Sequence, residues 1–184
     1  VKDYQLIDMG NGEKGFDFSA DTANYNRKAK RNYVASDVQF ELKSKIGITI
    51  LRGEYIQGIQ PGTDKSSRTA SALPSSAIYL RNFNGAYFYF IQDIGKSKFQ
   101  IVAKYDWYDP NVKISGKEIG KAATNTKLAD IRFDTYGFGL TYKFNTHVKL
   151  IAYYDIVKNE STQIKGYTRD IRDNVLTVRM QYKF

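Results

Sequence analysis

The sequence predicts an all-β protein, a transmembrane antiparallel up-and-down β-barrel of about eight strands. Three observations lead there. Apolar residues recur at every second position in segment after segment, the mark of strands with two unlike faces. The connections between these segments alternate between short and long. The composition favours strands, with 15 Tyr and 11 Phe but only 3 Pro in 184 residues.

Bulk properties narrow the function classes. Cysteine is absent, which excludes disulfides, thiolate metal sites and cysteine nucleophiles. A formal charge of +9 and a pI of about 9.5 leave nucleic acid, anionic lipid or small anions as partners. Mean hydropathy is −0.50, and no apolar run approaches the ~20 residues of a spanning helix. The longest are IGITIL (46–51) and AYFYFI (86–91). Spanning strands escape such averages, since each needs only ~10 residues with one apolar face. A start at Val1, without Met or a charged-then-apolar leader, is expected where a leader has been removed or the chain is a piece of a longer one.

The first strand, roughly 2–8, is weak. The second, 33–43, sets Val34, Val38, Phe40 and Leu42 against Asp37, Gln39, Glu41 and Lys43. The third, 46–57, opens with Ile46, Ile48 and Ile50 on one face. The same register carries Arg52 and Glu54 on toward lipid, where an Arg costs ~2–4 kcal/mol near mid-bilayer. That predicts a bulge near Leu51–Gly53 or protein cover. The fourth, 78–92, is aromatic on both faces, with Tyr87, Tyr89 and Ile91 against Phe88 and Phe90, so its facing stays open. The fifth, 98–108, sets Phe99, Ile101, Ala103, Tyr105 and Trp107 against Lys98, Gln100, Lys104 and Asp106. The sixth, 130–144, sets Tyr136, Phe138, Leu140, Tyr142 and Phe144 against Gly137, Gly139, Thr141 and Lys143. The seventh, 147–157, sets Val148, Leu150, Ala152, Tyr154 and Ile156 against Lys149, Ile151, Tyr153 and Asp155. The eighth closes the chain as VLTVRMQYKF (175–184).

Short connections fall near Ser44, at DIGKS (93–97) and at NT (145–146); long ones span 9–32, 58–77, 109–129 and 158–173. A meander puts all short turns at one end, as outer-membrane barrels do. Which face meets water follows from two patterns. Aromatics mark both ends of the apolar faces. Tyr142, Phe144, Tyr182 and Phe184 lie near the short turns, and Tyr105, Trp107, Tyr136 and Tyr154 toward the long loops. These are girdle positions. The opposite faces carry Lys104, Asp106, Lys149, Asp155, Arg179, Gln181 and Lys183, too many charges for a dry core. A single domain over 1–184, or the C-terminal portion of one, is expected.

A final Phe184 preceded by alternate apolar residues resembles the C-terminal signal of Gram-negative outer-membrane barrels. More specific stretches are LRGEYIQG (51–58), FNGAYFYF (83–90), VAKYDWYDPN (102–111), YGFGLTYKFNTHVKLIAYYDIVKNE (136–160) and DNVLTVRMQYKF (173–184). Together they resemble the C-terminal half of a phosphate-selective porin of the porin O/porin P type, over most of residues 33–184. The resemblance implies half of a 16-stranded, usually trimeric, outer-membrane channel. The alternative is a closed eight-stranded barrel, filled by its own side chains. It also implies Tyr182 and Phe184 as an assembly signal read by the barrel-assembly machinery, with lipopolysaccharide and outer-membrane lipid as surroundings. Anion selection would fall to basic lumen residues, for which Lys104, Lys143, Lys149, Arg179 and Lys183 qualify. Asp37, Glu41, Asp106 and Asp155 share their face, so a mixed lumen with internal salt bridges stays open.

No catalytic set, metal spacing or phosphate loop is visible, and neither enzyme activity nor a cofactor is expected. His147 is a lone histidine at a strand start. YDWYDPN (105–111) reads as a strand end with a Pro turn, NES (159–161) as a chance sequon, and NRKAKRN (26–32) as an external loop rather than a nucleic-acid patch. The expected activity is passive diffusion of small anionic solutes; the alternative is a non-conducting barrel that anchors an outer-membrane complex.

Overall fold

The computed structural model describes residues 4–8, 14–18, 30–67 and 78–184. The alternating segments become strands β1 (Tyr4–Asp8), β2 (Lys14–Phe18), β3 (Asn32–Ser44), β4 (Gly47–Gly62), β5 (Tyr79–Asp93), β6 (Phe99–Asp109), β7 (Phe133–Lys143), β8 (Val148–Asn159) and β9 (Val175–Tyr182). Strands β3 to β9 form one antiparallel seven-stranded sheet in sequence order, a pure meander. Two short 3-10 turns, Gly116–Glu118 and Leu128–Asp130, are the only helical pieces among the described residues.

The strand count differs from the expectation of eight in one sheet. β1 pairs with β2 as a separate hairpin, and β2 falls inside the expected 9–32 loop. KGFDF is too short and too mixed in polarity to announce itself as a strand. The sheet is not closed: among the described residues β3 pairs only with β4, and β9 only with β8. A closed eight-stranded barrel is therefore not the arrangement seen.

Directly paired residues in an antiparallel ladder share a face, so register sorts every side chain. One row runs Phe40, Leu51, Phe90, Ala103, Phe138, Tyr154, Leu176 across all seven strands. The next row, one residue along, runs Gln39, Arg52, Tyr89, Lys104, Gly137, Asp155, Val175. The first face is apolar and uncovered, with Phe138 on an inner strand still 57% exposed. The second curves around a concavity that reaches from Arg52 on β4 to Arg179 on β9. By the same alternation the only charged positions on the convex face are Asp109, Asp134 and Lys158, all at the long-loop end.

Two expectations about facing are corrected here. The register shows no bulge at Leu51–Gly53, where the ladder pairs Phe40 with Leu51 and Val38 with Gly53 without interruption. Lys45 and Ile46 are consumed by the turn that joins Ser44 to Gly47. Ile48 and Ile50 therefore point to the concave side, together with Arg52 and Glu54, and Leu51 takes the apolar face. In β5 the open question resolves to Phe88 and Phe90 outward, Tyr87, Tyr89 and Ile91 inward.

The aromatics end the apolar face at both levels. Tyr105 stacks on Tyr136 at 5.0 Å and lies 5.7 Å from Trp107. Their polar tips find partners: Trp107 Nε1–H donates to Asn84 (3.0 Å), Tyr105 O–H to Asp134 (2.7 Å), and Asn174 Nδ2–H to Tyr154 (3.1 Å). At the short-turn end Phe99 meets Tyr142 at 5.0 Å, Tyr142 meets Phe144 at 4.8 Å, and Tyr182 meets Phe184 at 6.3 Å. From Phe99 to Trp107 the strand runs roughly 27 Å at ~3.4 Å per residue.

On the concave side Tyr153 lies over Gly139 and Gly137 of the neighbouring strand. A Cβ at Gly139 would run into the Tyr153 ring, and one at Gly137 into the Tyr153 hydroxyl and, at 2.8 Å, Asp155 Oδ1. Ring cover of a bare glycine pair pins the β7–β8 register. Gly139→Val should destabilise the sheet by about 1–3 kcal/mol, the usual cost of overpacking. Most of that cost should disappear in a Tyr153→Ala background. Denaturant unfolding in detergent, followed through Trp107, measures the coupling; equal losses in both backgrounds would refute the steric account.

Candidate functional site on the polar face

The concave face encloses about 830 Å³ between β4 and β9. Its centre is an ion cluster built on an absence. Gly137 stands between Lys104 on β6 and Asp155 on β8 in the same row. With no side chain in the way, Lys104 Nζ reaches Asp155 at 3.3 Å as well as Asp106 at 2.8 Å. The ammonium also lies 5.8 Å from the centre of the Tyr153 ring. Two carboxylates on one ammonium leave this part of the wall without excess positive charge.

Lys104, Lys143, Lys149 and Arg179 all lie on the concave face by register. Lys183 follows β9, its N–H donating to His147 O at 2.8 Å. Lys143 is paired with Asp93 at 2.7 Å. Lys149 and Arg179, diagonal neighbours on β8 and β9, have no carboxylate within ion-pairing distance among the described residues. Lys43, on the opposite edge, reaches Glu41 only at 3.9 Å and in full exposure, a contact worth little. Among the described residues, cations without a carboxylate partner thus lie at Lys149 and Arg179 toward the short-turn end and at Arg52 in the central row, where Lys104 is paired.

The long-loop end is capped. Arg81 points to the concave face from β5, opposite Gln60. Its Nε–H donates to Asp130 Oδ1 at 2.8 Å, with both side chains buried. The same oxygen accepts Asn111 Nδ2–H at 2.8 Å, and Asp130 Oδ2 accepts the Lys127 N–H at 2.8 Å. This carboxylate gathers three donors and so draws loop 110–132 inward over the sheet. Ile114, Ile119 and Ile131 form a small core there, packed on Tyr79 and Phe133 from the concave face and on Ile164 and Tyr167 from loop 160–174. Glu160 ties the loops together, accepting Gly116 N–H at 2.6 Å and Arg132 N–H at 2.9 Å. On the convex face, Lys158 donates to Asp170 at 2.6 Å and holds that carboxyl below its ordinary pKa.

Other sequence features take structural roles. Asp109 Oδ1 accepts Asn111 N–H at 3.0 Å, an Asx turn ending β6 as YDWYDPN suggests. Asn159 of the sequon is buried and holds Ile171 N–H at 2.8 Å. His147 sits exposed in a short turn beside Thr146. The basic run 26–32 lies outside the described residues except for Lys30, Arg31 and Asn32. Among the described residues no cluster of His, Asp and Glu could hold a metal. The residues that sequence reasoning missed are Arg81, Asp130 and the Tyr153 cover. Alternating glycines opposite aromatics hint at the last, and nothing periodic marks the first two.

Comparison with known proteins returned no matching family model, curated protein or solved structure.

Asp130→Ala should release loop 110–132. Removing one partner of a buried pair costs about 3–5 kcal/mol, and here the loss is confined to the cap. Limited proteolysis should cut within 110–132 while the sheet stays folded; an uncut loop would show that the isoleucine core holds it without Asp130.

Proposed function

We propose that this chain is part of an outer-membrane porin: a β-barrel around a water-filled channel for passive diffusion of small solutes, with a preference for anions. The observation that carries the reading is the pair of adjacent rows, one apolar across all seven strands and the other holding Arg52, Lys104 and Asp155. An apolar face this broad, left open, exceeds what soluble monomers expose. Lipid would cover it, and the aromatics at its two ends suit the headgroup levels. Water would solvate the charged face, where a dry interior would not tolerate it.

Open edges at β3 and β9 belong to the same reading. No water reaches backbone donors in a hydrocarbon layer, so both edges need further strands. Sixteen strands in all, and a trimer, are what the porin O/porin P resemblance supplies. Anion preference rests on Lys149, Arg179 and Lys183 near the short turns, which such barrels place on the periplasmic side. The inward cap of loop 110–132 favours a second reading, a non-conducting barrel that anchors an outer-membrane complex.

In planar bilayers the purified protein should give discrete conductance steps and a reversal potential on the anion side in a KCl gradient. Lys149→Glu with Arg179→Glu should move that potential toward the cation side. Absence of conductance sinks the channel, and a wild-type reversal on the cation side sinks the anion preference.

Phe184→Ala should reduce insertion in cells several-fold and leave refolding in detergent unchanged. Unchanged insertion would remove Phe184 from the proposed assembly signal.

A further inference from the structure

The concave side of β5 carries something that passive anion flow does not call for. Its inward positions run Gly85, Tyr87, Tyr89 and Ile91 from the loop end toward the short turns. Tyr108 on β6 stands directly across from Gly85, and Val102 across from Ile91. Tyr108, Tyr87, Tyr89, Ile91 and Val102 all open onto the same 830 Å³ concavity. Tyr87 and Tyr89 meet edge to face at 5.5 Å. The result is an aromatic and aliphatic track along one wall, roughly 20 Å long at ~3.4 Å per residue.

The groups beside the track are polar and of both signs, and its central ammonium is paired. Arg52 pairs in register with Tyr89, Glu54 with Tyr87, and Lys104 and Asp106 flank the two tyrosines from β6. The Lys104 charge is taken up by Asp106 and Asp155. Ions so arranged offer donors and acceptors without strong net attraction for an anion. A ligand matching this wall has apolar faces to lie on the rings, hydroxyls at its edges, no required charge, and a length of several rings.

We propose that the wall binds a neutral linear oligosaccharide, whose sugar rings lie in succession on Tyr108, Tyr87 and Tyr89 while their hydroxyls meet Arg52, Glu54, Lys104 and Asp106. A pyranose presents axial C–H groups on its faces and hydroxyls around its rim, which is the chemistry the track and its borders complement. A single small acid would use one ring and leave the rest idle. The proposal rests on the concave face being water-filled, as the porin reading has it, and requires no conduction.

The test is calorimetry on the detergent-solubilised protein, with maltohexaose, glucose and benzoate as probes. Maltohexaose should bind at least tenfold tighter than either of the others. Tyr87→Ala with Tyr89→Ala should weaken it at least tenfold, and Tyr87→Phe with Tyr89→Phe, which keeps the rings, should retain it. No binding of maltohexaose, tighter binding of benzoate, or equal binding by glucose overturns the proposal. If the alanine variant fails to fold, the wild-type ranking of the three probes still decides. Bilayer conductance in KCl, measured on the same preparation, reports separately on the channel: binding without conductance would sink the pore and leave the site standing.

Discussion

The structure depends on one constraint, the assignment of charge to a single face of a twisted antiparallel sheet. Alternation at period two moves every side chain to the other face if a strand slips by one residue. Slippage here would bring Arg52, Lys104 and Asp155 onto the face of Leu51, Ala103 and Tyr154. In lipid that exchange would cost several kcal/mol at mid-depth for each basic residue. The same physics fixes register, facing and the levels of the aromatics at once.

Holding many charges on one wall raises its own difficulty, and the fold resolves it locally. Gly137 opens a gap through which Lys104 meets a carboxylate two strands away, and Tyr153 then covers the bare backbone. At the long-loop end a buried carboxylate, Asp130, does comparable work by gathering Arg81, Asn111 and the Lys127 amide. Both devices are built of groups from different strands or loops, so both report on a correctly assembled sheet. They differ in what they organise: the first sets the wall, the second sets how far loop 110–132 leans over it.

Much of the fold was legible in the sequence because period-two alternation is a local signal. Seven of the expected segments appear as neighbours in the order expected, and the short turns gather at one end. The failure at IGITIL is instructive. Three isoleucines at alternate positions look like a lipid face, yet the turn takes Ile46, and pairing with β3 then puts Leu51 outward. Parity was set by a partner strand, which a single segment does not encode. The Lys–Asp contacts of the polar wall were foreseeable in kind. Arg81 with Asp130 was not, because the two residues come from a strand and a distant loop with no common period.

In the proposed channel, the distribution of charge along the concave face would separate two tasks that a single ring of cations would combine. Cations left without carboxylates at Lys149 and Arg179 act over a Debye length of about 8 Å at physiological salt, so in the proposed channel they would bias which ions approach from the short-turn end. Deeper in, Asp106 and Asp155 more than offset the Lys104 charge, and discrimination there would pass to shape and surface. An anion drawn in by the first set would meet no deep electrostatic well in the second and would be free to leave, the condition conduction requires. A bulky neutral solute would gain little from the first set and most from the tyrosines of β5. Entry bias and contact recognition would thus reside on different strands of the same sheet, β8–β9 and β4–β6, and a substitution in one region would leave the other's chemistry intact.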